Sequence, residues 1–174
     1  MSDFSFDKLA ERLWVGSYPT DPRDFAALKE QGIAAVLSLQ TEGDIHASGL
    51  LPKTVWRMAM SSGLDYERFE IRDFAEDAIR RAIVQAMGKL HALFEQLDDE
   101  ESVFVHCTAG INRSPSVALG YAILRDGSST DDVLALARAA RPSIRPYEAV
   151  LRALEKAREA NWASVLEAAE KEED

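Results

Sequence analysis

The chain has 174 residues, 47% of them hydrophobic and 29% charged, and its formal net charge is −10 at pH 7. This length suits one domain, and this composition is typical of a soluble globular protein. The negative charge disfavours binding to nucleic acid or to an anionic membrane through bulk electrostatics.

The first half of the chain predicts strands separated by one helix and one loop. The helix begins at Pro22, after the N-cap Asp21, and ends near Gln31, ahead of Gly32. Residues 40–53 have no periodicity and predict a loop. Strands are predicted at 12–16, 33–39, 55–60 and 67–71. The second of these is apolar throughout, which is typical of a buried parallel strand.

The second half of the chain predicts four helices and one strand. An apolar stripe at helical spacing predicts a helix over 76–97, and an acidic turn separates it from a short buried strand at 103–105. Further helices are predicted at 114–125, 131–140 and 147–169, the last followed by an acidic tail. Strands that alternate with helices predict one three-layer α/β domain over residues 1–174, with a central, mostly parallel sheet flanked by helices.

The segment His-Cys-Thr-Ala-Gly-Ile-Asn-Arg-Ser, from His106 to Ser114, lies between a predicted strand and a predicted helix. A loop that leads into a helix N-terminus directs several backbone N–H groups and the positive end of the helix dipole at one point, which suits phosphate. The same field favours the thiolate of Cys107, the single cysteine, and predicts a nucleophile. Arg113 can hold two phosphate oxygens with its planar guanidinium.

Other members of this segment support that hypothesis. Gly110 allows a tight curve of the backbone, the Ser114 hydroxyl can donate to the thiolate as it leaves, and His106 orders the loop through hydrogen bonds. The phosphate-binding loop itself consists of Thr108, Ala109, Gly110, Ile111 and Asn112. The competing interpretation is a buried cysteine followed by an incidental arginine, and the accompanying His, Gly and Ser argue against it.

His-Cys-x5-Arg-Ser resembles the signature of the protein tyrosine phosphatase superfamily, and the short chain with an upstream Asp resembles its dual-specificity branch. The resemblance runs from Leu13 to Pro142. It implies a central sheet flanked by helices, a cysteinyl-phosphate intermediate, and neither a metal nor another cofactor.

The mechanism also needs a general acid that protonates the leaving oxygen and then activates water. Asp73, in Ile71-Arg72-Asp73-Phe74, follows a predicted strand and precedes a long helix, and it is the residue we assign to this role. Its other interpretation is a helix-capping carboxylate. Asp77 is the rival, although its position in the first helical turn suits a dipole interaction better. Asp65 is a weaker third candidate.

The substrate is predicted less directly. Apart from Arg113, the phosphate-binding loop has no basic residue, which disfavours inositol lipids and RNA triphosphates. The segment around Asp73 together with His106–Gly110 is similar to the glucan phosphatases, the plant starch phosphatases and laforin. Neutral polysaccharide is bound by aromatic faces, so Phe74 is predicted to stack on a glucose ring. Further aromatic candidates are Tyr18, Trp56, Tyr66, Phe69 and Tyr147, although an aromatic residue in a strand more often belongs to the core.

Several alternatives stay open at this point. The main one is a protein phosphatase that acts on phosphotyrosine and, with a shallow pocket, on phosphoserine or phosphothreonine. A non-catalytic phosphate-binding module and a sulfur-transfer or arsenate enzyme are the others. The expected partner is thus a phosphorylated polysaccharide or a phosphoprotein, and the sequence predicts no oligomeric state. Without a basic, apolar leader or a ~20-residue apolar span, we expect a cytoplasmic location.

Overall fold

A computed structural model of the chain describes residues 3–72 and 76–158, without the side chains of Glu76 and Asp77. Within these residues the strands are β1 (Phe6–Ala10), β2 (Leu13–Gly16), β3 (Ile33–Ser38), β4 (Asp65–Arg68) and β5 (Ser102–His106). They form one five-stranded sheet in the order β1-β2-β5-β3-β4. β1 is antiparallel to β2, and the other neighbouring pairs are parallel. The carboxyl ends of β2, β5, β3 and β4 therefore lie along one edge of the sheet.

Helices cover both faces of this sheet. The first three helices are α1 (Pro22–Glu30), α2 (Glu42–Ala47) and α3 (Pro52–Ser61). The later helices are α4 (Glu76–Phe94), α5 (Arg113–Asp126), α6 (Thr130–Ala140) and α7 (Glu148–Ala157). The side chains of the buried strand β5 alternate between the two faces of the sheet. Phe104 packs into the hydrophobic cluster formed with α1–α3, and Val103 and Val105 pack into the cluster formed with α4–α7. The prediction of one α/β domain with a central sheet between helices is confirmed.

The predicted strand at 55–60 was wrong, since these residues belong to α3. Pro52 occupies the first helical turn, and Val55 and Ala59, four residues apart, are the buried positions. A short apolar run fits either a strand or one face of a helix, so its length and composition did not distinguish the two.

The predicted loop at 40–53 was also wrong, because it contains α2. Thr41 and Asp44 form a capping box at its start, in which the Thr41 hydroxyl accepts from the Asp44 N–H and the Asp44 carboxylate accepts from the Thr41 N–H. Six residues are too few for helical periodicity to stand out. Strand β1, at the edge of the sheet, was not predicted, and β4 begins and ends earlier than the predicted strand at 67–71.

Helix α5 is buried along almost its whole length, from Arg113 to Leu124. It packs against β2 and β5 on one side and against α4 and α7 on the other. A helix enclosed in this way has little freedom, so its N-terminus is held firmly at the carboxyl edge of the sheet.

The last predicted helix, 147–169, is represented by α7, and its remainder and the acidic tail lie outside the described residues. In the part of the chain that is described, no helix combines the length and the apolar character needed to cross a membrane.

Candidate active site

Strand β5 ends at His106 and α5 begins at Arg113, and the loop 107–112 connects them at the carboxyl edge of the sheet. Cys107 begins this loop and is only 3% exposed. Its Sγ lies 3.3 Å from the Oγ of the buried Ser114, in the first turn of α5. A thiolate has no proton to donate, so in that form of Cys107 the Ser114 hydroxyl is the donor.

The backbone carbonyl oxygens of residues 107–111 all accept hydrogen bonds from groups outside the loop. Three of the donors are His106 Nδ1 to Cys107 O at 3.1 Å, Tyr18 N–H to Thr108 O at 3.2 Å, and Arg145 N–H to Ile111 O at 2.7 Å. The other two bonds come from Arg141, whose Nη2 donates to Ala109 O at 3.2 Å and whose Nε donates to Gly110 O at 3.1 Å.

This pattern fixes the direction of the loop N–H groups as well. The described chain has no cis peptide bond. In a planar trans peptide the C=O and the N–H point in opposite directions. With the five carbonyls held outward, the N–H groups of residues 108–112 face the other side of the loop, which is the arrangement that binds phosphate oxygens.

Gly110 occupies a position that no other residue fits without strain. Its φ is +68°, in the left-handed region, and a Cβ atom there would come within 2.4 Å of the carbonyl carbon of Gly16. Gly16, at the end of β2, is equally crowded, since its own Cβ would lie 2.1 Å from Ser5 O. The loop, the end of β2 and the chain before β1 are therefore in direct backbone contact.

Arg113 is buried at the start of α5, and its guanidinium contacts Asp44, Ile71 and Thr108 among the residues that the structure describes. Nη1 donates to Asp44 Oδ2 at 2.8 Å and to Ile71 O at 2.9 Å, and Nη2 lies 3.3 Å from Thr108 Oγ1. Partial burial of Asp44 opposes its ionisation, but the hydrogen bond from Arg113 and that from the Thr41 N–H outweigh it, so the pKa of Asp44 is lowered. Arg113 thus approaches the loop with a fixed orientation.

Asp44 was not among the predicted site residues. The signal that would have found it is the capping box Thr41-x-x-Asp44, which predicts a short helix inside the segment taken as a loop. Its contact with Arg113, 69 positions away, follows only from the tertiary fold.

His106 is fully buried, and burial lowers its pKa to about 4. A carbonyl oxygen can only accept, so Nδ1 carries the proton that is donated to Cys107 O. The ring stacks on Phe104 at a centroid distance of 5.5 Å. A neutral histidine with this tautomer donates to the first carbonyl of the loop, and its ordering role stays a prediction.

The predicted acid, Asp73, and the adjacent Phe74 lie outside the described residues. The chain that leads to them is anchored beside the loop, because Ile71 donates its N–H to Leu39 O, just after β3, and its carbonyl accepts from Arg113 at the start of α5. Asp77 lies in the first turn of α4, without a described side chain. Asp65 begins β4, three residues before the carboxyl end of that strand, about 10 Å from the edge that carries the loop.

The predicted aromatic residues separate in the structure. Tyr18 lines a cleft of about 760 Å³ together with Thr108 and Ala109 of the loop. Trp56, on α3, is 46% exposed and lines a separate groove with Asp65 and Tyr66 along the edge strand β4. The others contribute to packing: Tyr66 against the α1–α3 cluster, and Phe69 and Tyr147 against the α4–α7 cluster.

Another cavity, of about 470 Å³, lies on the Asp44 side of the loop and is lined in part by Glu70 and Arg72. Among residues 3–72 and 76–158, no three His, Cys, Asp or Glu side chains converge in a group that could hold a metal ion. Phe4, which lines the cleft beside Tyr18, was not predicted, because the N-terminal segment that contains it carries no recognisable motif.

Residues 13–160 match the model of the family described as the dual specificity phosphatase, catalytic domain. This range covers most of the chain, and the chain therefore belongs to the dual specificity phosphatase family. The resemblance inferred from His-Cys-x5-Arg-Ser is confirmed.

Three curated relatives are similar over part of their length. Laforin from Mus musculus is 28% identical over 151 residues, which are 80% of this chain and 44% of laforin. Phosphoglucan phosphatase DSP4, amyloplastic, from Castanea sativa is 30% identical over 110 residues, 63% of this chain and 29% of that protein. Protein-tyrosine-phosphatase MKP1 from Arabidopsis thaliana is 26% identical over 139 residues, 80% of this chain and 16% of that protein. The chain thus spans less than half the length of each of these relatives.

Among solved structures, that of PTPMT1 superposes with a TM-score of 0.71 and covers 92% of this chain and 99% of its own. Its sequence identity is 17%, so this similarity concerns the fold.

Proposed function

We propose that this phosphatase releases phosphate from phosphorylated glucans of the starch or glycogen type, through a cysteinyl-phosphate intermediate on Cys107. The Cys107 thiolate attacks phosphorus, the bond from phosphorus to the ester oxygen breaks, and that oxygen takes a proton from Asp73. Arg113 and the inward N–H groups of the loop hold the three remaining oxygens as charge develops.

The second step returns the enzyme to its starting state. Asp73, now ionised, takes a proton from water as the water oxygen attacks phosphorus. The phosphorus–sulfur bond breaks, inorganic phosphate leaves, and the Ser114 hydroxyl donates to the departing thiolate. With a pKa of about 4, His106 stays neutral and orients the loop in this scheme.

The observation that carries the glucan proposal is the lining of the cleft beside the loop. Tyr18 and several hydroxyl-bearing residues line this cleft, and Phe4 borders it while its ring packs against Phe6 at a centroid distance of 5.3 Å. Arg23, the arginine among these lining residues, is paired with Asp21 at 2.7 Å. Sugar rings stack on aromatic faces and exchange hydrogen bonds with hydroxyls, whereas a polyphosphate needs spare cations. The similarity to laforin and to phosphoglucan phosphatase DSP4 supports the same substrate class.

A protein phosphatase is the second candidate function. It is supported by the similarity to protein-tyrosine-phosphatase MKP1 and by Tyr18, whose ring beside the loop would suit a phosphotyrosine as well as a sugar. A non-catalytic phosphate-binding module is less favoured, since Cys107, Arg113 and Ser114 are all present. A cytoplasmic location and one catalytic domain over the 174 residues remain proposals of the same kind.

The test compares phosphate release from solubilised amylopectin, a phosphotyrosine peptide and an aryl phosphate, with Cys107→Ser as the blank. Tyr18→Ala should lower release from amylopectin about tenfold and leave aryl phosphate turnover nearly unchanged. Trp56→Ala, which removes an aromatic ring from a separate groove, is the matched control. Turnover of the peptide with amylopectin untouched would move the substrate to phosphoproteins.

A second comparison tests the acid. Asp73→Asn should slow substrates with poor leaving groups by about 10²-fold or more and slow an activated aryl phosphate far less, since good leaving groups need little protonation. Asp77→Asn is the control. A larger effect of Asp77→Asn on poor leaving groups would assign the acid to Asp77.

A further inference from the structure

We propose that Arg141 and Asp7 are a positioning pair that sets the shape of the phosphate-binding loop from behind. Arg141 is the C-cap residue that follows α6, and it is only 7% exposed. Its guanidinium donates to Ala109 O and Gly110 O on one side, and its Nη1 donates to Asp7 Oδ2 at 2.8 Å and to Ser5 Oγ at 3.1 Å on the other. One buried side chain thus joins α6, the loop and β1.

The two carbonyls that Arg141 holds belong to the peptide groups whose N–H groups are on Gly110 and Ile111. Each peptide group is planar, so a fixed carbonyl direction fixes the direction of its N–H. Arg141 therefore aims the N–H groups of Gly110 and Ile111 at the phosphate side without touching phosphate. Neither of these carbonyls is held by a regular strand or helix, so the arginine supplies the restraint that secondary structure gives elsewhere.

Asp7 keeps Arg141 in place for this task. Burying a guanidinium without a counter-charge is energetically costly. The Asp7 carboxylate, 2.8 Å away, neutralises the charge of Arg141 and accepts a hydrogen bond from one of its N–H groups. Asp7 and Ser5 lie before residue 13, where the match to the family begins. The pair thus ties the catalytic loop to β1, an antiparallel edge strand outside the matched range.

The pair should matter more for the transition state than for the ground state. Loop N–H groups stabilise the transferring phosphoryl group as charge spreads over its oxygens, and a small misdirection weakens that stabilisation most. This inference rests on the proposed cysteinyl-phosphate chemistry and is independent of the choice between glucan and protein substrates.

The experiment measures kcat and KM for an aryl phosphate, the inhibition constant of orthovanadate (tetrahedral when free, and an analogue of the transferring group once the thiolate makes it five-coordinate), and the free energy of unfolding. The variants are Arg141→Met, Arg141→Lys and Asp7→Asn in the full chain. Arg138→Met is the matched control, because Arg138 lies on the same helix and pairs with Glu148 at the surface.

Arg141→Met should lower kcat about tenfold to a hundredfold and weaken vanadate by a similar factor, with KM changed less than threefold. Arg141→Lys should recover part of kcat, since an ammonium can hold one of the two carbonyls but cannot hold both as the guanidinium does. Asp7→Asn preserves shape and should give a smaller loss of the same kind. Arg138→Met should leave kcat and vanadate inhibition at their wild-type values.

The proposal fails if Arg141→Met and Asp7→Asn reduce only the free energy of unfolding while the folded enzymes keep wild-type kcat and vanadate inhibition. In that case Arg141 has a structural role alone. A failure of the proposed function would give a different experimental result. If wild-type protein and Cys107→Ser turned over the aryl phosphate at the same rate, the catalytic assignment itself would be wrong.

Discussion

Asp44 has two tasks in this protein, and they can be separated. Its carboxylate caps α2 by accepting from the Thr41 N–H, and it pairs with Arg113 at 2.8 Å. Asp24 takes the same capping position in α1, where it accepts from the Asp21 N–H. The chain therefore contains its own control for the capping function.

Asp44→Asn should lower kcat for an aryl phosphate by about tenfold or more, because Arg113 loses the charge that orients it toward phosphate. Asp24→Asn should leave kcat unchanged. Both variants should lose about 1 kcal/mol of stability from the weakened cap, as measured by chemical denaturation. Equal kcat values for the two variants would show that the ion pair does not orient Arg113.

The buried imidazole of His106 gives the protein a dependence of stability on pH. In the folded state burial lowers the pKa of His106 to about 4, from an ordinary value of 6.5. Between these values the unfolded chain binds a proton that the folded chain does not. The contribution of this group to the free energy of unfolding is therefore constant above about pH 6.5 and falls by about 1.4 kcal/mol per pH unit as the pH drops toward about 4.

His106→Gln, which keeps an amide donor in place of Nδ1–H, should remove this slope. Urea denaturation at about pH 7.5 and about pH 5 gives the change in the free energy of unfolding between these conditions for each protein. The wild type should lose about 2 kcal/mol more than His106→Gln between these two conditions. Parallel losses in the two proteins would mean that His106 titrates normally in the folded state.

At the scale of secondary-structure elements, the loop and the end of β2 pack so closely that an added side-chain atom has no space between them. Gly110 and Gly16 face each other there, and Ser17 donates its N–H to Ser5 O at 3.0 Å just beyond. Backbone atoms cannot rotate away as a side chain can, so any added atom must separate the loop from β2.

Gly110→Ala should therefore abolish at least 99% of aryl phosphate turnover and lower the free energy of unfolding by about 2–4 kcal/mol. Gly32→Ala is its control, since Gly32 has a similar φ of +77° after α1 but nothing within 4 Å of an added Cβ. The control should lose about 1 kcal/mol from backbone strain and keep full activity. An active Gly110→Ala enzyme would show that the loop can move away from β2.

The molecule as a whole carries ten more negative than positive charges at pH 7. The negative electrostatic field of this net charge acts on every charged substrate that approaches. A phosphotyrosine peptide with acidic neighbours is repelled over a longer range than one with neutral neighbours. Raising the salt concentration from about 20 mM to about 200 mM shortens the Debye length from about 20 Å to about 7 Å.

The kcat/KM for the acidic peptide should rise about twofold to fivefold over this range, and that for a neutral-flanked peptide or amylopectin should change little. Initial rates at several salt concentrations measure this directly. A fall in kcat/KM for the acidic peptide would reveal a local basic surface that overrides the net charge.

The sequence predicted the parts of the site that are close together along the chain. His106 to Ser114 is one continuous segment, and a strand on one side with a helix on the other is enough to predict an anion-binding loop with a cysteine at its base. The buried strands and α5 were predicted from continuous apolar runs, and α4 from an apolar stripe that repeats over several helical turns. α2 and β1 lack that repetition, and α3 has an apolar run that fits two structures.

The groups that hold the loop come from distant positions, and their roles depended on the tertiary structure. Asp44, Arg141 and Asp7 are ordinary charged residues in the sequence, separated from the loop by tens of residues. Tyr18 and Tyr147 are both aromatic candidates, yet one lines the cleft and the other packs on the core. Local patterns determine the chemistry that a segment can perform, whereas strand order and helix packing decide which remote side chains reach it, since those contacts form only when the chain folds.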